Sequence, residues 1–219
     1  MANEVRIMLV DDHAVVRESI AERLQRELDF KVVGTTGDPE SALVMAAEHK
    51  PEIILMDISM PGLFSFEAAR RLIQMLPNSR IIFLSAFKND TYIEQALEIR
   101  AHGYLTKREP VDKVIRAIRD VASGGAYFSE EVRARIIVDS KGAKLGEGAA
   151  SRLSQLSRRE LEMLAYIAQG LGKKEIASIT GRSVKTIDHH ITRLMAKLDI
   201  HDRVELAKFA IREGLAEPE

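Results

Sequence analysis

The chain has 219 residues, of which 46% are hydrophobic and 30% charged, and its formal net charge is −1 at pH 7. This length suits two domains of ordinary size, and the composition supports packed cores rather than disorder. The sequence contains no cysteine, which excludes disulfides, thiolate zinc sites and cysteine nucleophiles and fits a reducing cytoplasm.

The first 122 residues alternate short apolar runs with longer amphipathic stretches. This alternation predicts a flavodoxin-like, doubly wound α/β domain, in which helices cover both faces of a five-stranded parallel sheet. The predicted strands are Val5 to Val10, Lys31 to Gly34, Ile53 to Met56, Ile81 to Ser85 and Gly103 to Leu105. The predicted helices are Ala14 to Leu28, Pro39 to Glu48, Phe66 to Leu76, Asp90 to Arg100 and Pro110 to Ala122.

The pattern changes after residue 123, where the first predicted domain (residues 1–123) ends. Residues 124–152 are rich in Gly, Ala and Ser, which predicts a flexible linker with a short helix around Glu130 to Val138. Residues 153–219 show only helical patterns and are predicted to form a small all-α domain of four helices. These helices are Arg158 to Gln169, Lys173 to Ile179, Ser183 to Leu198 and Arg203 to Arg212.

Charge is unevenly distributed along the chain. Residues 1–123 contain 16 Lys and Arg against 19 Asp and Glu, whereas residues 150–213 contain 12 against 8. The basic C-terminal part is therefore where we expect nucleic acid to bind. The N-terminal residues carry charges after a few apolar positions and no run of 18 apolar residues occurs, which predicts a cytoplasmic protein without a signal peptide or membrane span.

Three carboxylates follow predicted strands. Asp11 and Asp12 come directly after the first strand and Asp57 directly after the third, at the sheet edge where ligands bind in open α/β folds. Carboxylates held close together repel one another, and Mg²⁺ is suited to neutralise them. Ser85 and Lys107 fall at the same edge, where a hydroxyl and an ammonium group would help to stabilise a phosphoryl group on a carboxylate.

These five residues, in this order and spacing, resemble the receiver domains of two-component response regulators over roughly residues 4–122. The resemblance implies that Asp57 accepts a phosphoryl group from a histidine kinase or a phosphotransfer protein. It also implies that Asp12 is a direct Mg²⁺ ligand, that Asp11 is an outer one, and that the backbone carbonyl of Ser59 completes the site.

The resemblance further identifies Tyr104 as the aromatic residue that turns inward when Ser85 moves toward the phosphoryl group. One segment departs from the family pattern. Where the family usually has an Asp-Gly pair before the third helix, this chain has Leu63, Phe64, Ser65 and Phe66. We expect Ser65 to disfavour a backbone shape that glycine permits, and the two aromatic residues to make this loop more apolar.

The C-terminal part contains a short predicted helix, a turn with Gly181, and a long helix that Ser183 caps and that has an apolar stripe. This is a helix-turn-helix pattern, in which the second helix enters the major groove. The segments LSRRELEML, GLGKKEIA, SVKTIDHH and KLDIHDRVELAKFAI resemble LuxR-type (NarL/FixJ-like) DNA-binding domains from about Leu156 to Leu215. The resemblance implies binding to double-stranded DNA as a homodimer that forms through the last helix, Arg203 to Arg212.

Polar residues at the start of the second helix are candidates for contact with bases, and nearby cations are candidates for contact with phosphates. The base-reading candidates are Asp188, His189 and Thr192. The phosphate-binding candidates are Lys173, Lys174, Arg182, Lys185, Arg193 and Lys197. Glu160 is expected to brace the scaffold. Arg182 and Asp188 depart from the family pattern, and an acid near phosphates predicts modest non-specific affinity. A helical bundle that binds protein is the alternative for this domain.

Three functional hypotheses follow. The first is a transcription regulator in which Mg²⁺-dependent phosphorylation of Asp57 controls DNA binding, a switch rather than a turnover enzyme. The second is the same architecture controlled by partner binding without phosphorylation. The third is a phosphatase or phosphotransferase for a small substrate that works through an aspartyl-phosphate. Ser59 disfavours the third hypothesis, because it stands where such enzymes have a second acid.

Overall fold

A computed structural model describes residues 4–60, 63–86, 90–139, 142–145 and 152–215. The chain divides into two compact units, residues 1–88 with 92–146 and residues 147–219 with 89–91, so that the main division lies between Gly146 and Glu147. This division falls inside the predicted linker, and the boundaries of the three predicted segments stay a prediction. Within the described ranges, no helix is both long and apolar enough to cross a membrane.

The N-terminal unit is built on a parallel sheet of six strands in the order β2-β1-β3-β4-β5-β6. The first five confirm the predicted strands, and the sixth is a two-residue addition at the β5 edge. Their bounds are β1 Val5–Val10, β2 Phe30–Thr36, β3 Ile53–Asp57, β4 Arg80–Ser85, β5 Gly103–Thr106 and β6 Tyr127–Phe128. Five helices alternate with these strands: α1 Ala14–Gln25, α2 Pro39–His49, α3 Ser65–Met75, α4 Asp90–Glu98 and α5 Val111–Ala122.

The alternation of side chains along the strands fills two cores. Leu9, Leu55 and Leu84 point to the face that α1 and α5 cover, whereas Met56 and Phe83 are buried with the opposite helices. Both faces are therefore apolar, which explains why the central strand reads as an uninterrupted apolar run. This doubly wound arrangement confirms the predicted α/β class.

The segment after the sheet is more ordered than the linker prediction allowed. Helix α6, Glu130–Arg133, begins where the short helix was predicted but ends five residues earlier. Strands β7, Ile136–Asp139, and β8, Gly142–Leu145, then form an antiparallel pair. Consecutive β-branched residues at Ile136 to Val138 favour a strand over a helix, which explains the correction. The rest of the predicted linker, residues 140–141 and 146–151, lies outside the described residues.

The C-terminal unit contains a 3₁₀ turn, Arg152–Gln155, and four α-helices as predicted. Their bounds are α7 Arg158–Ala168, α8 Lys173–Thr180, α9 Val184–Leu198 and α10 Arg203–Arg212. Gly181 ends α8 in the left-handed conformation, with φ at 63°, and Ser183 caps α9 by accepting a hydrogen bond from the Thr186 amide. The buried stripe of α9 is Ile187, Ile191, Leu194 and Leu198. It packs α9 against α7 and α8 and leaves its polar face exposed.

Candidate functional site

The carboxyl ends of four neighbouring strands bring the predicted pocket together. Asp11 follows β1 directly, Asp57 is the last residue of β3, Ser85 is the last residue of β4, and Lys107 follows β5. Because β3 lies between β1 and β4 in the sheet, Asp57 stands at the centre of this edge. Sequence reasoning placed Asp57 just after its strand, whereas it pairs with Leu84 as part of the strand.

Lys107 joins two deeply buried carboxylates of the pocket. Its Nζ lies 2.8 Å from Oδ2 of Asp57 and 2.8 Å from Oδ2 of Asp11. Asp57 is 1% exposed and Asp11 is 3% exposed, so solvent screens this charge cluster weakly. One ammonium group therefore faces two carboxylates, and the pocket retains an excess of negative charge.

Burial governs the protonation of this cluster. Loss of hydration raises the pKa of Asp57 from its ordinary 3.8 to about 6; the positive charge of Lys107 opposes the rise, and the negative charge of Asp11 adds to it. Burial lowers the pKa of Lys107, but the two carboxylates outweigh burial and raise it above its ordinary value. Lys107 is thus a cation throughout the physiological pH range, and Asp57 is mainly ionised at pH 7.

The pocket also has the donor set of a divalent-cation site. Asp11, Asp12, His13 and Asp57 each offer a ligand atom, and these atoms lie within 4.8 Å of one another. Oδ1 of Asp12 is buried and, apart from Nδ1 of His13 at 2.9 Å, meets no hydrogen-bond donor in the part of the chain that the structure describes. Such an oxygen beside further carboxylates fits a hard cation such as Mg²⁺. The backbone amide of Ser59 donates to Oδ1 of Asp57 at 3.3 Å, which places Ser59 beside the same group.

Ser85 and Tyr104 lie behind the pocket on adjacent strands. Both side chains are fully buried, and Tyr104 pairs with Phe83 in the sheet two residues before Ser85. Tyr92 of α4 is buried close by. Burial raises the pKa of Tyr92, and the charges of Tyr104 and Asp57 raise it further, so these groups lie within electrostatic reach of one another.

The segment that departs from the family pattern forms part of the core. Phe66 packs against Phe83 and Tyr92, with ring centroids 4.7 Å and 5.8 Å away, and Phe64 lies 5.6 Å from Phe66. Both phenylalanines are buried. The expected apolar loop is therefore an aromatic cluster that joins the start of α3 to β4 and α4.

Ser65 adopts its conformation without a left-handed backbone. Among the described residues, a positive φ outside glycine occurs only at Lys50, Arg100 and Asp199. Ser65 is instead the first residue of α3, and its buried hydroxyl donates to the carbonyl oxygen of Ile58 at 2.7 Å. This agrees with the expectation that Ser65 disfavours a backbone shape open to glycine, and the serine hydroxyl also supplies a donor for a carbonyl next to the pocket.

This hydrogen bond leads to a prediction for stability. We expect Ser65→Ala to lower the free energy of unfolding by about 1 kcal/mol, since the buried Ile58 carbonyl loses its donor. Ser65→Gly should lose at least as much, because glycine lacks the hydroxyl and gains backbone freedom in the unfolded chain. Urea unfolding of the full chain measures both. A Ser65→Gly protein more stable than the wild type would show that this position needs glycine's backbone.

In the C-terminal unit, the predicted DNA-contacting residues lie on α8, the turn and α9, and all of them are exposed. Lys173 of α8 forms an ion pair with Asp188 of α9, which reduces the negative charge that Asp188 would present to phosphates. The hydroxyl of Thr192 donates to the Asp188 carbonyl at 2.9 Å, so its methyl group is left for outward contacts.

Lys197 differs from the other cations because its ammonium group already has a buried partner. Its Nζ lies 2.7 Å from Oε2 of Glu160, which also receives the backbone amide of Ser157 at 2.7 Å in a capping box. Burial raises the pKa of Glu160, but Lys197 and Ser157 outweigh burial and lower it. The prediction that Glu160 braces the scaffold is confirmed.

Two family models match the chain, one for each unit. The model described as the response regulator receiver domain matches residues 7–119, and the model described as bacterial regulatory proteins of the luxR family matches residues 154–210. The chain belongs to the response regulators. Because these are DNA-binding transcription regulators rather than enzymes, the hypothesis of a small-substrate phosphotransferase is wrong.

This response regulator resembles bacterial proteins over nearly its whole length. It is 34% identical to the uncharacterized transcriptional regulatory protein YxjL of Bacillus subtilis (strain 168), covering 98% of this chain and 99% of that protein. It is 33% identical to the oxygen regulatory protein NreC of Staphylococcus haemolyticus (strain JCSC1435), with coverage of 96% and 99%. A solved structure of the Salmonella typhimurium response regulator RcsB aligns with a TM-score of 0.76 at 22% identity, covering 97% and 99%, and supports the fold alone.

Sequence reasoning missed two features of the response regulator's pocket. His13 was not among the candidate ligands, although it directly follows Asp12 in a run of three ligand-type residues after a strand. The contact of Phe66 with Tyr92 gave no local signal, because the two residues lie on helices separated by a strand.

Proposed function

We propose that this response regulator accepts a phosphoryl group on Asp57 and that phosphorylation changes the affinity of its C-terminal unit for double-stranded DNA. The observation that carries the proposal is the position of Lys107, 2.8 Å from both Asp57 and Asp11 in a buried, negatively charged pocket. A fixed cation beside a mainly ionised carboxylate suits the transfer of an anionic phosphoryl group.

In the proposed transfer, a carboxylate oxygen of Asp57 attacks the phosphorus of a phosphohistidine on a histidine kinase or phosphotransfer protein. A P–O bond forms as the P–N bond breaks, and the departing imidazole takes a proton from solvent. Because Asp57 is already mainly ionised at pH 7, it needs no base. Lys107 then balances the charge of the transferred group.

Mg²⁺ is the proposed cofactor of this pocket. The carboxylates of Asp11, Asp12 and Asp57 and the backbone carbonyl of Ser59 would hold it, with Asp12 as a direct ligand. When bound, the ion supplies positive charge that neutralises the phosphoryl oxygens. Hydrolysis of the aspartyl-phosphate ends the signal, so the protein acts as a switch.

Ser85 and Tyr104 are proposed to transmit the signal. The Ser85 hydroxyl would donate to a phosphoryl oxygen, and Tyr104 would repack with it. Ser85 and Tyr104 are buried on adjacent strands, which supports this coupling, since a shift of one side chain in a dense core must be accommodated by its neighbours. The aromatic cluster around Phe66 and Tyr92 would carry the shift toward α4.

DNA recognition is proposed to occur through α9. Its exposed side chains Asp188, His189 and Thr192 would contact base edges in the major groove, with the Thr192 methyl group available to a thymine methyl. The cations proposed to contact phosphates are Lys173, Lys174, Arg182, Lys185 and Arg193. Lys197, the sixth candidate from the sequence, is instead proposed to act through its ion pair with Glu160. The ion pair with Lys173 offsets the negative charge of Asp188, which supports the placement of this acid on a DNA-binding surface.

We propose that the DNA-bound form is a homodimer joined through α10. The resemblance to LuxR-type domains assigns the contact to this helix, and Val204 is an apolar side chain on it that is 60% accessible. We also propose a cytoplasmic location, because the sequence contains no cysteine and the proposed ligand is DNA.

Phosphorylation is tested with a small phosphodonor and Mg²⁺, with phosphate incorporation followed by intact mass. We expect incorporation into the wild type and into Asp120→Asn, which alters an exposed carboxylate, and none into Asp57→Ala. Equal labelling of wild type and Asp57→Ala would reject Asp57 as the acceptor. If no variant is labelled by phosphodonor or kinase, control by partner binding alone becomes the better hypothesis.

The dependence of DNA binding on phosphorylation is tested by selecting bound sequences from random duplex DNA with and without the phosphodonor. We expect a two-fold symmetric site, which a dimer requires, and stronger enrichment with the phosphodonor. Identical enrichment in wild type and Asp57→Ala would separate DNA binding from phosphorylation. The absence of any enriched sequence would favour a protein-binding bundle.

The different environments of Lys185 and Lys197 lead to opposite expectations. Lys185→Ala should weaken DNA binding and lower the slope of log affinity against log salt by about one, with little change in stability. Lys197→Ala should instead destabilise the C-terminal unit by about 2 kcal/mol, because Glu160 loses its cation. Helical circular dichroism during urea unfolding and DNA titrations at several salt concentrations check both. Equal losses of DNA affinity in the two variants, without a change in the stability of Lys197→Ala, would contradict the structural role of Lys197.

A further inference from the structure

His13 places an imidazole nitrogen at the rim of the acidic pocket. Its Nδ1 lies 2.9 Å from Oδ1 of Asp12 and 3.4 Å from Oδ1 of Asp11, and its side chain is 48% exposed. The backbone amide of His13 donates to Oδ1 of Asp11 at 2.9 Å, which holds this residue close to the carboxylates. A ligand-type side chain is therefore anchored where a cation is expected.

The distances agree with those between neighbouring ligands on one small cation. Two adjacent ligands of an octahedral ion with bonds of about 2.1 Å lie about 3 Å apart. The separation between His13 Nδ1 and Asp12 Oδ1 matches this value, and apart from this imidazole the described residues place no hydrogen-bond donor on that oxygen. The Lys107 ammonium lies against Oδ2 of Asp11 and Oδ2 of Asp57. The Oδ1 atoms of these two residues each accept one backbone amide and keep a lone pair for a cation.

We propose that His13 is an additional metal ligand, which makes this pocket a mixed nitrogen and oxygen site. The proposal rests on the proposed function, in which the pocket binds a divalent cation. Imidazole binds first-row transition ions such as Ni²⁺ far better than it binds Mg²⁺, which prefers oxygen ligands. His13 therefore raises the preference of the site for transition ions and contributes little to Mg²⁺ binding.

The competing interpretation of the same geometry is a hydrogen bond or ion pair from His13 Nδ1 to Asp12. In that case the imidazole only moderates carboxylate repulsion, and its removal alters the affinity for every divalent cation alike. The two interpretations therefore predict different changes in the ratio of Ni²⁺ affinity to Mg²⁺ affinity when His13 is removed.

The test is a calorimetric titration of the untagged full chain with Ni²⁺ and, separately, with Mg²⁺, at one fixed pH of about 8. The variants are His13→Asn, Asp12→Asn and, as a matched control, His201→Asn, which removes an exposed histidine of the C-terminal unit. Asp12→Asn identifies the part of the binding that belongs to this pocket.

We expect His13→Asn to lower the Ni²⁺ affinity of the Asp12-dependent site at least about tenfold, the range seen when the support of a metal site is removed. Its Mg²⁺ affinity should change less than about threefold, and His201→Asn should leave both values unchanged. An unchanged ratio of Ni²⁺ to Mg²⁺ affinity in His13→Asn would overturn the role of His13 while leaving the Mg²⁺ site intact. A wild type without Asp12-dependent binding of either ion would overturn both the inference and the proposed metal site.

Discussion

Asp57→Asn is expected to stabilise the N-terminal unit by about 2 kcal/mol near pH 7.5 in the presence of a chelator. Burial raises the pKa of Asp57 from 3.8 to about 6, and each unit corresponds to about 1.4 kcal/mol. The full shift would amount to about 3 kcal/mol. The pKa of about 6 already includes the opposing charge of Lys107, and the expected gain is smaller than about 3 kcal/mol because an amide only partly reproduces the hydrogen bonds of a protonated carboxyl group.

The sign of this effect follows from the direction of the shift. Because the folded protein binds the Asp57 proton more tightly than the unfolded chain does, ionised Asp57 destabilises the fold. The wild type should therefore lose stability as pH rises from about 4 to about 6, whereas Asp57→Asn should lack this contribution. The difference between the two proteins is largest above pH 6 and disappears below pH 4.

Urea unfolding at several pH values measures this difference. Tyrosine fluorescence reports mainly on the N-terminal unit, which holds Tyr92, Tyr104 and Tyr127, three of the four tyrosines. Asp120→Asn is the control, since it alters a carboxylate that is exposed. A variant that is destabilised at neutral pH, or a difference that is constant with pH, would contradict the account of Asp57 burial.

Lys107→Met should have the opposite effect and a larger one. We expect it to lower the stability of the N-terminal unit by about 3 kcal/mol near pH 8, because it leaves two buried carboxylates without their cation. Proton uptake relieves the repulsion, so the loss should shrink as pH falls and be small near pH 4. The same unfolding measurement applies, with Lys31→Met as a control for loss of an exposed lysine.

The combined variant isolates the pair interaction. If Lys107 acts through Asp57, Asp57→Asn should restore part of the stability that Lys107→Met removes, so the two effects should not add. Strict additivity would show that Lys107 stabilises the fold through its packing or through Asp11 alone. Divalent cation should also stabilise Lys107→Met by mass action if the carboxylates form a metal site.

Local sequence patterns determined the architecture and the membership of the pocket. The period of apolar residues predicted all five main strands, and the carboxyl ends of parallel strands share one edge, so Asp11, Asp57, Ser85 and Lys107 were expected to meet. The stripe of α9 and its Ser183 cap identified the second helix of the helix-turn-helix in the same way. Such features depend on neighbours within a few residues of one another.

Tertiary structure alone decided how these residues are paired and what charge they carry. Lys107 and Asp57 lie 50 positions apart, and only the folded sheet sets the shared contact with Asp11 and the burial that raises the pKa of Asp57. The ion pair between Lys197 and Glu160 likewise depends on packing between helices. Side-chain partners and hydration depend on atoms distant in sequence, and periodicity carries no information about them.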